Sequence, residues 1–243
     1  MNKYFYDLHI HSCLSPCADD DMTVNNIAGM ASVAGLNICA LTDHNTCGNC
    51  KSFFSACKTN GIIPIAGIEI TTAEEIHMIA LFEFLEQALE FDKDFAQFRA
   101  KIKNKIEIFG NQFFVDQNDN IVGTDEFLLP VATSLSLDDA YTLAIKYNAF
   151  VYPAHIDRHS NGIISILGTF PDTPIFNAIE FADKEKIEPI KKLIPSISQK
   201  KLIISSDAHN LWKINDAEHF VLLDDEPYSS ALVRKKLFEY LRS

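Results

Sequence analysis

The sequence predicts an α/β fold whose strands curl into a barrel. Short apolar runs alternate with stretches of helical periodicity along most of the chain, and repeated strand-then-helix units build a mainly parallel sheet. The number of such units favours a barrel over a small open sheet. A third observation bears on function: the apolar runs end, one after another, in histidine or carboxylate.

Tyr4–His9 is a short apolar strand that ends in polar residues. Thr23 is placed to cap a helix running to about Ala34, where Gly35 stops it. Asn37–Thr42 reads as a buried strand leading into Asp43-His44, and Cys50–Thr59 as a helix closed by Asn60-Gly61. Ile62–Ile70 and Ile76–Phe82 are the next strands. Between about 84 and 135 the rhythm changes. Leu85, Leu89, Phe91, Phe95, Phe98, Ile102 and Ile106 predict one long helix over Leu85–Ile108, and Gln112–Val122 reads as a hairpin. This stretch is expected to be an insertion, within a single domain 1–243, that covers or shapes the site. The alternation then resumes. Leu137–Tyr147 is a helix capped by Ser136, and Ala149–Pro153 a strand ending in Ala154-His155. Phe176–Phe181 is a strand, Lys184–Leu193 a helix, Lys201–Ser205 a strand ending in Ser206-Asp207, and Ser229–Arg242 a final helix.

Composition is globular, with 47% hydrophobic and 22% charged residues. No apolar run reaches the ~18 residues of a membrane span, and the N-terminal residues lack the apolar region of a secretory signal. A cytoplasmic location is therefore expected. The formal net charge of −12 argues against long nucleic acid as a partner. The same surplus of acid suits a site that collects cations. Cys13, Cys17, Cys39, Cys47, Cys50 and Cys57 are expected to be free thiols. Cys47 and Cys50 form a lone C-x-x-C, short of a structural zinc set. They directly follow Asp43-His44, which leaves a role near the site open.

Strand ends that share one rim of a parallel barrel bring distant residues together. A lone histidine on an apolar strand is more often packed than a ligand. His9-x-His11 is different, because residues two apart on a strand face the same way and both imidazoles can reach one ion. Asp207-x-His209 repeats that spacing. Glu69 lies in the apolar run Ile65-Ala66-Gly67-Ile68-Glu69-Ile70, and a buried carboxylate needs a cation. His44, His77 and His155 complete the set of strand-end candidates. In Asp19-Asp20-Asp21, a solvated acidic turn competes with a metal-capping role.

These pieces, in this order, resemble the PHP (polymerase and histidinol phosphatase) phosphoesterase family. They are Asp7-Leu8-His9-Ile10-His11-Ser12, Thr42-Asp43-His44-Asn45-Thr46, Gly67-Ile68-Glu69-Ile70, Glu75-Ile76-His77, Pro153-Ala154-His155 and Ser205-Ser206-Asp207-Ala208-His209. The resemblance implies a distorted (β/α)7 barrel with two or three divalent transition metal ions (Zn, Fe or Mn) at the C-terminal strand ends. It implies that His9, His11, Glu69 and Asp207 hold one ion, and that Glu69 bridges to a second held by His77 and His155. A third would be held by His44, His209 and an acidic or histidine residue after the first motif. Asp19 is the best match for that position, although extra residues around Pro16-Cys17-Ala18 keep Asp20 and Asp21 in play.

The expected activity is hydrolysis of a small phosphorylated metabolite, nucleotide or short oligonucleotide by metal-activated hydroxide. Arg158 is placed to grip a phosphate and His159 to protonate the leaving group, against the ordinary reading of both as surface residues. Asp43 is expected to orient a ligand rather than act in the chemistry itself. Competing readings are an amidohydrolase-like C–N or C–O hydrolase and a non-catalytic metal-binding module. Glu69, where amidohydrolases often place a modified lysine, favours the phosphoesterase.

Overall fold

The computed structural model describes residues 1–225 and 229–243. The first half runs β1 (Asn2–Ile10), α1 (Val24–Val33), β2 (Ile38–Leu41), α2 (Cys50–Asn60), β3 (Ile63–Thr71) and β4 (His77–Phe82). Residues 84–135 hold α3 (Leu85–Phe95), α4 (Ile106–Phe109), β5 (Phe113–Val115) and β6 (Ile121–Thr124). Then follow α5 (Leu137–Lys146), β7 (Phe150–Pro153), α6 (Ile163–Leu167), β8 (Ala178–Glu180), α7 (Ile187–Leu193), β9 (Lys201–Ile203), β10 (Phe220–Leu223) and α8 (Ser230–Arg242). The strands ending in the quoted motifs lie within a few residues of their expected bounds. β10 and α6 carried too short a signal to be predicted.

The main sheet has the order β10-β1-β2-β3-β4-β7, and β8 pairs with β9 in a second, short sheet. Two hydrogen bonds join the sheets into a ring. Ile156 N–H, just past β7, donates to the Glu180 carbonyl on β8 at 2.9 Å. His11 N–H, just past β1, donates to the Ala208 carbonyl beyond β9 at 3.0 Å. β1, β2, β3, β4, β7, β8 and β9 thus make the expected barrel. β10 lies outside it, paired antiparallel with Asn2–Phe5.

The sheet is not parallel throughout. β4 runs antiparallel to both β3 and β7. The chain between Thr71 and His77 is too short for a parallel crossover, which takes about a dozen residues or more. Thr72 N–H donates to the Ile76 carbonyl at 2.9 Å, and Ile76 N–H donates back to Thr72 Oγ1 at 3.2 Å. This reversal has a functional consequence. His77 opens an antiparallel strand opposite Thr71, the last residue of β3, so a strand start lands on the rim where the other strands end.

Packing follows from strand alternation. Leu8, Ile38, Ala40, Ile65, Ile79, Leu81, Tyr152, Ala178 and Ile203 fill one cluster together with Leu237 and Phe238 of α8. Alternate residues such as Cys39, Leu41, Ala66, Ile68 and Ala80 meet the surrounding helices in the other cluster. β1 changes sides midway. Leu8 belongs to the first cluster and Ile10 to the second, and the register with β2 shifts between Asp7 and Ile10. Such a bulge re-aims side chains, and here it separates core residues from His9 and His11. α8 closes the opposite end: Arg242 Nη2 donates to the Asn148 carbonyl (2.7 Å), just before β7.

The expected long helix in the insertion is broken. α3 buries Ala88, Phe91 and Phe95 and then ends, and Arg99 is extended at φ −66°, ψ 143°. Arg99 ion-pairs with Asp92 (3.0 Å) and Asp125 (3.5 Å) and ties the turn back on itself. Ile102 and Ile106 continue the apolar spacing but remain exposed, because no core face meets them. The β5–β6 hairpin forms as expected and braces the loop after β1. Phe113 N–H donates to the Cys13 carbonyl at 2.8 Å, and Gly110, at φ +95°, lies so close to the Pro16 carbonyl that a Cβ would sit 2.4 Å from it. Ser136 caps α5 through Asp139 N–H, whereas Thr23 makes no capping bond.

Gly67 lets β2, β3 and β4 approach closely: a Cβ there would meet Thr42 Cγ2 and Leu81 Cδ2, each at 2.8 Å. Gly67→Ala should therefore destabilise the fold by about 1–3 kcal/mol, read from urea unfolding midpoints. Gly29→Ala, inside α1 with a nearest contact of 3.8 Å, should be neutral or stabilising by up to about 1 kcal/mol. Equal effects would contradict the packing account.

Candidate metal centre

Glu69 stands at the middle of the rim and is 1% exposed. Its Oε1 lies 2.8 Å from His77 Nδ1, 3.2 Å from His155 Nε2 and 3.4 Å from His9 Nε2. Its Oε2 lies 3.0 Å from His44 Nδ1 and 3.2 Å from His11 Nε2. Asp207 Oδ1 faces His9 Nε2 at 3.2 Å and His11 Nε2 at 3.1 Å, and those two nitrogens are 3.1 Å apart. Three groups of donors are close enough to share an ion: His9, His11, Glu69 and Asp207; His44, Glu69 and His77; and His11, His44 and His209.

The donor atoms fit cations better than they fit each other. His44 Nδ1, His77 Nδ1, Glu69 Oε2 and Asp207 Oδ1 are buried without a hydrogen-bond partner, despite their close neighbours. A tetrahedral ion with bonds of ~2.0–2.2 Å would hold its ligands roughly 3.3–3.6 Å apart, and the 3.1–3.4 Å separations around His9 and His11 approach that spacing.

The surroundings fix which nitrogen of each ring faces inward. His9 Nδ1 contacts Glu180 Oε1 at 2.9 Å, so Nε2 is free. His11 Nδ1 contacts Ser15 Oγ at 3.0 Å, and Ser15 Oγ donates to Asp43 Oδ1 at 2.7 Å. His209 Nδ1 contacts the Asp207 carbonyl at 2.8 Å. Such outer partners set the tautomer and raise ligand basicity. Asp43 is itself buried and also accepts from Ser12 N–H and Ser12 Oγ, each at 2.7 Å. It is tied to the loop after β1 directly and to His11 through Ser15. Glu180 was missed, although the reasoning applied to Glu69 covers it: a carboxylate inside Ala178-Ile179-Glu180-Phe181. It also accepts from His155 N–H at 3.1 Å. His155 and Asp207 adopt φ +28° and +50°, strained values that cluster at functional sites.

Other predicted residues are placed differently. Arg158 lines the cavity of about 100 Å³ over the donors and ion-pairs with Asp207 Oδ2. His159 is exposed, does not line that cavity, and offers its carbonyl to Ser165. Asp19 is exposed and, among the described residues, joins none of the donor groups; its backbone N–H donates to the His209 carbonyl at 2.8 Å. The acidic run Asp19-Asp20-Asp21 thus sits in solvent, because the turn points its side chains outward. Cys47 and Cys50 are buried beside Gly67, with Sγ atoms 3.4 and 3.5 Å from its carbonyl, and among the described residues join none of the donor groups.

Burial disfavours the charged form of every ring here, yet the carboxylates override it at some. At His11, bonds to Asp207 and Glu69 outweigh burial and raise the pKa to about 9. At His44, the Glu69 charge does the same, again to about 9. At His209, burial and the nearby His11 push it down to about 3. Burial alone would raise Glu69, but His77, His9 and His44 hold it well below the usual carboxylate range. Below pH 9 the ion-free protein therefore keeps protons on His11 and His44 that a cation must displace. Apparent metal affinity should rise between pH 6 and 9, up to about tenfold per pH unit for each proton released. Competition with a metal buffer measures this, and a flat profile would refute it. Glu180→Ala should weaken metal binding by ~10–100-fold in the same assay.

Residues 7–93 match the PHP domain family. A 5'-3' exoribonuclease of Haemophilus influenzae is 37% identical over 79 residues, which cover 31% of this chain and 28% of the relative. Endonuclease Q of Pyrococcus furiosus, a lesion-specific endonuclease, has a similar fold, with a TM-score of 0.62 at 17% identity over 96% of this chain and 55% of that chain. In a complex with a 27-mer duplex bearing an abasic lesion at its active site, endonuclease Q aligns with a TM-score of 0.65 at 16% identity, over 99% of this chain and 57% of that chain. A proposed metal-dependent phosphoesterase of Bifidobacterium adolescentis aligns over nearly its whole length: TM-score 0.62, 18% identity, 96% of this chain and 95% of that one. This chain thus spans little more than half of endonuclease Q, and the match spans a smaller part still of the exoribonuclease. The chain is thus similar to the PHP domain family over residues 7–93 and shares its fold with these solved structures.

Proposed function

We propose that this chain is a metal-dependent phosphoesterase acting on a small phosphorylated metabolite, a nucleotide or the end of a short oligonucleotide. The observation that carries the reading is the convergence of His9, His11, Glu69 and Asp207 at ligand spacing beneath a small cavity that holds one guanidinium. Two or three divalent ions of the Zn, Fe or Mn kind suit the mixed imidazole and carboxylate donors. His155 joins them through Glu69 Oε1. Bound there, such ions acidify water towards a pKa of ~7 and offset charge on phosphoryl oxygens.

The chain's own residues do the rest. Glu180, Ser15 with Asp43, and the Asp207 carbonyl hold His9, His11 and His209 in the tautomer that aims a lone pair inward. Glu69 presents both oxygens to different imidazoles, so one carboxylate would serve two neighbouring ions. Arg158, half-buried at the cavity, binds a phosphoryl oxygen and anchors the substrate. Ser160 and Asn161 supply polar wall beside it. The exposed His159 is left without a chemical role, and the leaving group takes its proton from water. No lysine lines the cavity among the described residues, which supports the phosphoesterase over an amidohydrolase with a modified lysine. The intact donor set supports catalysis over a non-catalytic module.

The −12 charge supports short over long substrates. Endonuclease Q binds a duplex, and nucleic acid ends are therefore included in the substrate range proposed here.

The test is a metal analysis together with a hydrolysis screen of nucleotides, sugar phosphates, histidinol phosphate and short oligonucleotides. His9→Ala should remove metal and activity together, whereas His219→Ala should change neither. Arg158→Ala should raise KM at least tenfold with metal content unchanged. Protein loaded with two or three ions that hydrolyses no phosphoester would overturn the assignment.

A further inference from the structure

We propose that residues 101–109 form a track for the single-stranded tail of an oligonucleotide whose terminal phosphate sits in the metal centre. The inference rests on the phosphoesterase reading above and narrows its substrate class. The track lies beyond residues 7–93, the part that matches the PHP domain family.

The segment Lys101-Ile102-Lys103-Asn104-Lys105-Ile106-Glu107-Ile108-Phe109 differs in charge from the rest of the chain. It carries three lysines against one acid, in a protein of formal net charge −12. Every residue in it except Asn104 is exposed, with Ile106, Ile108 and Phe109 at 57, 64 and 45%. Its backbone nonetheless holds a definite shape. Leu128 N–H donates to the Ile102 carbonyl at 2.8 Å and Asn104 N–H to the Glu126 carbonyl at 2.9 Å, so Lys103 lies in a strand-like bridge opposite Phe127. Asn104 Nδ2 donates to the Gly110 carbonyl at 2.9 Å and folds α4 back on this stretch. Alternation along an extended segment sets Lys101, Lys103 and Lys105 on one side, repeating every ~6.6 Å. That repeat suits the successive phosphates of an extended single strand. α4 adds exposed apolar and aromatic side chains beside the cations, which is the combination that base faces need. The ion pairs among the described residues engage other lysines and arginines, so these three charges stay available.

The track leads to the cavity. Gly110, which follows it, packs against the Pro16 carbonyl, and Asn111 Nδ2 donates to Asp20 Oδ2 at 2.8 Å. Asp19 N–H, in that same loop, donates at 2.8 Å to the carbonyl of His209, which lines the cavity. The cavity itself holds about 100 Å³, well below the ~300 Å³ of a pocket that encloses a drug-sized ligand. It has room for the reacting phosphoryl group, and the rest of a longer substrate must lie on the surface outside. The nine residues span at most roughly 20 Å, enough for a few nucleotides. A single strand fits this track better than an anionic membrane does. A flat membrane would also meet the exposed acids Glu107, Glu126 and Asp20 within a Debye length of ~8 Å, whereas a flexible strand bends around them.

Fluorescence anisotropy of the metal-loaded protein with end-labelled, phosphorothioate-linked single strands tests this without turnover. Affinity should rise at least tenfold between strands of two and six nucleotides and level off beyond, because the track is short. The same lengthening should steepen the slope of log K against log salt by about −2, at about −0.7 for each of three phosphates. K101E/K103E/K105E should remove both gains, while mononucleotide hydrolysis stays within twofold of the unmutated protein. Phe109→Ala should weaken binding of the six-nucleotide strand at least fivefold. Affinity that does not depend on length, or a gain that survives the triple substitution, would overturn the inference. So would binding to phosphatidylserine-containing vesicles through the same lysines with no gain for longer strands. Length-dependent binding by protein that hydrolyses no phosphoester would instead overturn the phosphoesterase reading and leave the track standing.

Discussion

One buried carboxylate organises this molecule. Glu69 carries a negative charge in a place where water reaches about 1% of it, and a charge so placed persists only if it is paired. Five imidazoles surround it within 3.4 Å. They come from the ends of β1, β2 and β7 and from the start of β4, so meeting the demands of one side chain requires several strand ends to meet at one rim. The antiparallel turn between β3 and β4 and the bulge in β1 are the local departures that make this possible.

Around that centre lies a layer of residues that touch histidines and not substrate. Glu180, Asp43 with Ser15, and the backbone of Asp207 and Asp19 each hold one ring or one strand end. Asp7 does comparable work lower down, accepting from Ser206 N–H at 3.0 Å and Asn215 N–H at 3.2 Å and so tying β1 to the segment after β9. Polar groups buried in this way stay ordered only when fully satisfied. Among the unsatisfied ones are four atoms aimed at the centre, on His44, His77, Glu69 and Asp207. Residues 84–135 contribute from a distance: they do not line the cavity over the donors but brace the loop that carries Ser15.

Much of this was legible in the residues. Strands ending in His9-x-His11, Asp43-His44, Glu69, His155 and Asp207-x-His209 announced themselves by an abrupt change from apolar to metal-binding chemistry. Helical periodicity failed where it had no partner surface: spacing alone extended the helix through Ile106, and the exposure of Ile102 and Ile106 shows why it stopped. Asp19 was favoured over its neighbours because acids suit cations and the family places one nearby. Side-chain direction in a turn has no period, so nothing local showed that Asp19 turns outward. Glu180 was within reach of the logic applied to Glu69 and was passed over because its strand ends in no histidine.

The sequence by itself determined the order of donors and the chemistry they suit, because residue type at a strand end is a one-dimensional property. It also determined the class of fold, because apolar periodicity reports which face is buried. The tertiary structure alone decided the direction of β4, the partition of histidines into overlapping groups around Glu69, and the outward turn of Asp19. Those depend on where the ring of strands closes, through bonds such as His11 to Ala208 and Ile156 to Glu180, between residues far apart along the chain.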